Sequence, residues 1–230
     1  MSEDNGAAWD NIYSTEGRRA EYPDEFVIRF ANRHLLNEEE STGDKRVLDL
    51  GCGPGRHVAY LAREGFETHG VDYSQVAVEM AEDLCEWEGL DARVKRANIT
   101  DLSYDDAYFD CAIDCATIQH NFRADIESAI AEVSRVLKPD GLFFWKARSR
   151  EDSFYGEGTE AEPGTCVFHQ ESVVSDNDGD EVEKPTHFFG KDEIEELLAD
   201  GFRETTIEYT ERTFDVMSGK IAHFIVVARK

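Results

Sequence analysis

Apolar and polar positions alternate along the chain in two rhythms. Short segments at 46–50, 67–71, 92–97, 109–115 and 142–148, some strongly apolar and others mixed, have the length and bounding residues of strands. Between them lie stretches whose apolar residues recur every three or four positions, which is helical spacing. One helix is predicted over 56–64, stopped by Gly65. A second starts at Ser74, a capping residue, and carries Val76, Ala77, Met80 and Leu84 as its apolar face. A third runs over 125–137 and stops at Lys138-Pro139-Asp140-Gly141. Upstream, Tyr22-Pro23-Asp24 precedes a helical stripe of Phe26, Val27, Phe30, Ala31 and Leu35, and a polar, acidic linker spans 37–44.

Strands alternating with helices predict an α/β protein with a doubly wound parallel sheet. The rhythm breaks after residue 148. Residues 149–186 are rich in Gly, Ser, Asp and Glu, with a β-like stretch at 166–174 and a hairpin turn at Asp176-Asn177-Asp178-Gly179. A helix at 191–198 and two closing strands at 202–209 and 221–228 follow, which brings the strand count to seven. One domain is expected: an N-terminal lid or helix over 1–37, a core over 45–148, an insert over 149–190 and a closing unit over 191–230. The 230 residues, 40% hydrophobic, suffice for one sizeable core.

Charge changes this picture most. The formal net charge is −26, from 50 acidic against 24 basic residues, and only eight of the basic residues are lysines. Such a chain repels nucleic-acid phosphates. It also repels itself unless salt screens it, and the Debye length falls to about 3 Å at 1 M. The acids are spread from Glu3 to Asp215, which favours the cytoplasm of a salt-loving organism over one acidic docking face. Five cysteines without a C-x-x-C pair read as reduced cytoplasmic thiols. No apolar run approaches the ~20 residues of a membrane span, and the acidic N-terminus lacks the pattern of a secretory signal.

The chemistry concentrates at Val47-Leu-Asp-Leu-Gly-Cys-Gly-Pro-Gly55. A strand runs into glycines at alternate positions, and a helix follows at once. The lack of a Cβ lets such a backbone turn sharply and press against a ligand. A dinucleotide loop, G-x-G-x-x-G, needs a third glycine where Arg56 stands. The run is instead D-x-G-x-G-x-G from Asp49. It resembles the first motif of the class I S-adenosylmethionine-dependent methyltransferases. Glu132-Val-Ser-Arg-Val-Leu-Lys-Pro-Asp-Gly141 resembles the helix and turn that follow this family's fourth strand. The likeness is good over 45–148 and loose after 202. It implies a Rossmann-like, mostly parallel seven-stranded sheet with the last strand antiparallel. It also implies S-adenosylmethionine as methyl donor, S-adenosylhomocysteine as product and a small-molecule acceptor.

Candidate site residues follow. Asp49, Gly51, Gly53 and Gly55 form the loop. Asp72 ends the second strand, where a carboxylate accepts from ribose hydroxyls, with Tyr73 beside it; its alternative role is a helix cap. The resemblance puts the adenine contacts at Asn98 and Ile99, with Asp101 the alternative to Asn98. It turns the loop after Cys115 towards the methyl group, where His120 is a candidate base or simply a packing histidine. Trp9, Tyr13, Arg18, Arg19 and Tyr22 either fold over the cofactor as a lid or pack on the core. His169, His187, Phe188 and Phe189 are expected in the opposite wall. No metal is expected. Asp176, Asp178 and Asp180 suggest a calcium loop, but Glu181 and His187 (or Glu183 and Phe189) occupy the places that need glycine and glutamate. The alternative readings are an NAD-dependent oxidoreductase and a protein that holds the cofactor without turnover. A methyltransferase acting on RNA is disfavoured by the charge.

Overall fold

Parallel strands covered on both faces need apolar residues on both, and β1 (Arg46–Leu50) is built that way. Val47 points into one core layer and Leu48 and Leu50 into the other. In β5 (Leu137–Arg148) the same alternation sends Phe143 and Trp145 one way and Phe144 the other. The computed structural model describes residues 9–14, 22–36, 41–170, 182–214 and 218–230. A seven-stranded sheet has the order β3-β2-β1-β4-β5-β10-β9. Its other members are β2 (Glu67–Asp72), β3 (Ala92–Arg96), β4 (Phe109–Cys115), β9 (Glu204–Phe214) and β10 (Gly219–Arg229). The pairs from β3 to β5 are parallel. The last strand, β10, runs antiparallel to both β5 and β9 and lies between them.

Helix α1 (9–14) precedes α2 (Glu25–Phe30), which is prolonged by a wide turn, Ala31–Leu35. Together with α3 (Arg56–Arg63), α2 covers the Val47 face. Helices α5 (Arg123–Val136) and α6 (Lys191–Leu198) cover the Leu48 face. Strand order reverses between β1 and β4, so a crevice opens beyond their carboxyl ends.

Two expectations need correction. In α4 (Gln75–Glu88) the buried residues are Ala77, Val78, Ala81 and Cys85, whereas Val76, Met80 and Leu84 stay partly exposed. The helix lies so close to the glycine loop that small side chains must face inward: a Cβ on Gly55 would sit 2.8 Å from that of Ala81. The insert is also richer in structure than its composition suggests. It forms an antiparallel sheet of β6 (Thr159–Glu162), β7 (Thr165–Gln170) and β8 (Val182–His187). Strand β6, Thr-Glu-Ala-Glu, is mostly exposed and carries no apolar alternation to betray it. The turn at 176–179, the acids around it, Arg18, Arg19 and the His169 side chain lie outside the described residues.

Candidate active site

The glycine loop leaves β1 at Gly51, whose φ is +62°, a value glycine adopts without strain. A Cβ there would overlap the Thr117 side chain, which approaches from the loop after β4. Gly55 reaches φ +88° as the residue before α3. Asp72 binds this loop to the next one. Its Oδ2 accepts the Gly53 N–H at 2.8 Å and its Oδ1 accepts the Ser74 N–H at 2.9 Å. Burial lifts the Asp72 carboxyl to about 6, against the pull of both N–H groups, and the Asp49 charge adds to the rise.

Asp49 lies in the floor beneath the loop, fully buried. Neither of its oxygens has a hydrogen-bond partner among the described residues. The His57 ring accepts the Asp24 N–H on Nε2, so its proton sits on Nδ1, 3.7 Å from Asp49 Oδ2. A third buried carboxylate, Asp114, ends β4. Its Oδ1 accepts the N–H groups of Thr117 and Ile118, and its Oδ2 is unpaired among the described residues. Burial pushes it up to about 8, with Asp49 adding repulsion. These bonds shape the 115–118 loop, where Ala116 takes φ +74°, a strained value for alanine.

A pH prediction follows. Asp114 holds its proton in the fold up to about pH 8, while the free group loses it near 3.8. Stability from this group is therefore greatest below pH 4 and declines as pH rises from about 4 to 8. Asp114→Asn should flatten this slope and be the more stable protein at pH 9, read from thermal melts across the range.

Around these groups is a cavity of about 370 Å³. Its lining includes Gly51, Gly53, Asp72, Tyr73, Ile99, Cys115 and His120, together with Trp9 and Tyr13 from α1. Three expected residues stand outside that lining: Asp49 beneath the loop, Gly55 packed on Ala81, and Asn98. Asn98 uses its Oδ1 on the Thr100 N–H at 3.0 Å in a tight turn with Asp101, leaving the buried Ile99 at the cavity. The insert contributes differently from expectation. His187, Phe188 and Phe189 are fully buried away from the lining, with His187 held between Thr165 and Glu193. Lys184 of β8 is the residue that reaches the cavity, its ammonium 4.3 Å from the Trp9 ring centre. Tyr22 is 79% exposed and not in the lining.

The Trp9 ring stacks on Tyr13 at 6.1 Å and tilts against His120 at 5.5 Å. Asp10 latches α1 in place: its Oδ1 accepts the Ser74 hydroxyl at 2.5 Å and the Val76 N–H at 3.2 Å, capping α4 from outside. Ser74 in turn donates its own N–H to Asp72. Asp10→Ala should therefore weaken ligand binding in the cavity about tenfold, the worth of one or two hydrogen bonds. Asp10→Asn, which keeps the accepting oxygen, should recover much of it; calorimetry on both variants checks this.

His120 is held neutral. Its Nδ1 lies 3.3 Å from the Pro185 carbonyl and its Nε2 3.4 Å from the Gln119 amide nitrogen. The Gln119 oxygen accepts the Arg148 N–H, which turns the amino end towards the ring. Burial, then the Lys184 charge, keeps the imidazole well below its ordinary range.

Sequence comparison places these features in a family. A methyltransferase-domain family profile matches residues 47–141. An uncharacterized methyltransferase of Schizosaccharomyces pombe is 30% identical over 105 residues, covering 46% of this chain and 72% of that protein. A SAM-dependent methyltransferase from Methanosarcina mazei superposes with a TM-score of 0.68 at 25% identity, over 86% of this chain and 96% of that one. The chain belongs to the class I S-adenosylmethionine-dependent methyltransferases.

A likeness in fold extends to the 1,6-didemethyltoxoflavin-N1-methyltransferase of Burkholderia thailandensis, solved with S-adenosylhomocysteine and 1,6-didemethyltoxoflavin bound. The TM-score is 0.67 at 17% identity, over 100% of this chain and 90% of that one. The methyltransferase chain spans less than half the length of the first two curated bacterial relatives it matches, 43% and 47%. S-adenosylmethionine is the family's methyl donor, and the lining suits it: bare backbone at Gly51 and Gly53 and the Asp72 side chain border the cavity. Among the described residues no group of three metal-ligating side chains gathers, and no helix is long and apolar enough to cross a membrane.

Asp10, Asp114, Thr117 and Lys184 escaped the sequence reading. Asp114 had a signal, since it ends a strand as Asp72 does. Thr117 lies in the loop after Cys115 that the resemblance already turns towards the methyl group, whereas Asp10 and Lys184 reach the site from distant segments and had none.

Proposed function

We propose that this methyltransferase moves the methyl group of S-adenosylmethionine to a small-molecule acceptor, releasing S-adenosylhomocysteine. Asp72 holds the ribose hydroxyls, the Gly51–Gly53 backbone meets the amino-acid end, and Ile99 flanks the adenine. Trp9 and Tyr13 of α1 close the site. The observation that carries the reading is the joining of Gly53, Asp72, Ser74 and Asp10 by consecutive hydrogen bonds, which puts glycine loop, ribose acid and lid in one assembly. A cavity of about 370 Å³ suits small ligands, and a net charge of −26 disfavours nucleic acid.

Calorimetry with S-adenosylhomocysteine in molar KCl tests the reading, followed by product formation over an acceptor panel. Binding is expected; no uptake of either nucleoside would sink the assignment. A thermal shift with NAD in its place would restore the oxidoreductase. Binding without turnover on a broad panel would favour a holding protein. We also propose a salt-rich cytoplasm as its setting, because self-repulsion at this charge is relieved by screening. The melting temperature should rise between 0.1 and 2 M KCl.

A further inference from the structure

The insert reaches the cavity through β8. Lys184 stands over Trp9, and the next two residues hold His120: the Pro185 carbonyl and the Thr186 hydroxyl both lie 3.3 Å from its Nδ1. Strand β8 then leaves the cavity at His187, which is fully buried with its ring 4.5 Å from that of Phe189. A polar cluster fixes the strand at this point. Thr165 of β7 and Glu193 of α6 bond the two ring nitrogens, Nδ1 at 2.7 Å and Nε2 at 2.8 Å.

Donors and acceptors assign the protons of this cluster. Thr165 has one hydroxyl proton. Glu162 Oε1 lies 2.9 Å from that oxygen and also accepts the Arg123 N–H at 2.6 Å. A carboxylate only accepts, so the hydroxyl proton points to Glu162 and the Thr165 oxygen is left to accept from Nδ1. Glu193 accepts on the other side of the ring. It also takes bonds from the Arg123 and Arg150 guanidiniums and from the Gly190 N–H at 3.2 Å. Burial opposes its charge, but the His187 bond leads the groups that overcome it and hold the carboxyl at about 2. Nε2 therefore donates as well. Charge agrees with this count. Among the described residues the ionised groups bonded into the cluster are Glu127, Glu162 and Glu193 against Arg123 and Arg150. One further positive charge balances them, and a buried ion is tolerated where it is paired and hydrogen-bonded in this way.

We infer that His187 is a buried imidazolium, with a proton on each ring nitrogen, and that it is the positioning residue of the insert. Clamped between Thr165 and Glu193, it sets how far β8 advances towards the 118–120 turn. It thereby sets where Lys184 and the Pro185 carbonyl meet Trp9 and His120. A neutral ring would satisfy one of its two acceptors and leave the other buried without its donor. The proton assignment is independent of the methyltransferase reading, whereas the effect on turnover rests on it.

Nitrogen-15 NMR of the whole protein, labelled at histidine, reads the assignment. Both ring nitrogens of His187 should carry a slowly exchanging proton, identified by the loss of both signals in His187→Gln. Thr165→Val keeps the shape and removes the acceptor at Nδ1, so the Nε2 proton alone should remain. The Nδ1 signal of His120 should shift in the same variant, although the substitution lies on β7. With whichever small acceptor turns over, kcat/KM should fall about 3- to 30-fold in Thr165→Val, as expected of a displaced wall. Thr165→Ser keeps the hydroxyl and should restore both the proton and the rate. Affinity for S-adenosylhomocysteine should stay within about twofold of wild type, since the glycine loop and Asp72 stand on other strands. A single ring proton on wild-type His187 would overturn the inference. So would an unmoved His120 signal or unchanged turnover in Thr165→Val, or a Thr165→Ser protein that behaves like Thr165→Val. Failure of the wild type to bind S-adenosylhomocysteine would instead strike the methyltransferase reading and leave the proton assignment standing.

Discussion

Asp72→Ala is expected to weaken binding of S-adenosylhomocysteine by about 100-fold or more, while the protein still folds. Two effects set the first magnitude. The carboxylate would accept the ribose hydroxyls, and bonds to a charged acceptor contribute about 1.5–3 kcal/mol each. It also fixes the Gly53 N–H at 2.8 Å, so its loss loosens the loop that meets the rest of the nucleoside. The fold survives because the cost of burying the ionised carboxylate offsets much of what its two hydrogen bonds contribute. Its pKa is about 6 in the fold against 3.8 free. Above pH 6 that difference costs the folded state about 3 kcal/mol relative to the protonated carboxyl, and alanine exchanges this cost for two N–H groups left without their acceptor. The alanine variant should therefore melt within a few degrees of wild type. The same carboxyl gives wild type a pH signature. Ribose hydroxyls bind the ionised form, so affinity should be full above pH 6 and fall below it, and calorimetry between pH 5 and 8 reads this directly. Unchanged affinity in the variant would remove Asp72 from the site.

Gly51→Ala should do the reverse and damage fold and site together. The position needs φ +62°, and a side chain there overlaps Thr117. Left-handed strain and overpacking each cost about 1–3 kcal/mol. At about 2–4 °C per kcal/mol for a chain of this size, the melting temperature should drop by roughly 4–24 °C. Thr117→Gly in the same chain relieves the overlap but not the backbone strain, so it should restore part of the loss. Full restoration would show that crowding, and not conformation, is what reserves position 51 for glycine. Nucleoside binding should fall in Gly51→Ala even where the protein remains folded, since Thr117 and Gly51 both line the cavity.

These two sites differ in how far a reader of the sequence could see them. Asp72 and the glycine loop were visible because strand ends, turn glycines and helix starts are local properties of the chain. Cys115 and Ile99, expected at the cofactor from the resemblance, both border the cavity. Asn98 misled because a carboxamide after a strand serves a local turn as readily as a ligand, and here Thr100 takes its oxygen. His187, Phe188 and Phe189 misled for a related reason. Aromatic and imidazole rings in an irregular insert suit a pocket wall and a buried core equally, and only packing chooses; here they are fully buried. The apolar stripe of α4 was displaced because spacing reports which residues are large and greasy, not how near the next element comes. Ala81 faces inward because Gly55 lies against it.

By itself the sequence determined an α/β sheet, the bend at 51–55, the acid at the end of β2 and the family to which they belong. The first three follow from backbone preferences and periodicity within a few tens of residues, and the family from the resemblance of two short motifs. Tertiary structure alone decided which groups from positions 9 to 184 share one cavity. It joined Asp10 to Ser74, laid Lys184 over Trp9, and set both nitrogens of His120 against Pro185 and Gln119. Such contacts join segments up to about 175 residues apart. The close packing of the core fixes them, and no short stretch of chain carries their pattern.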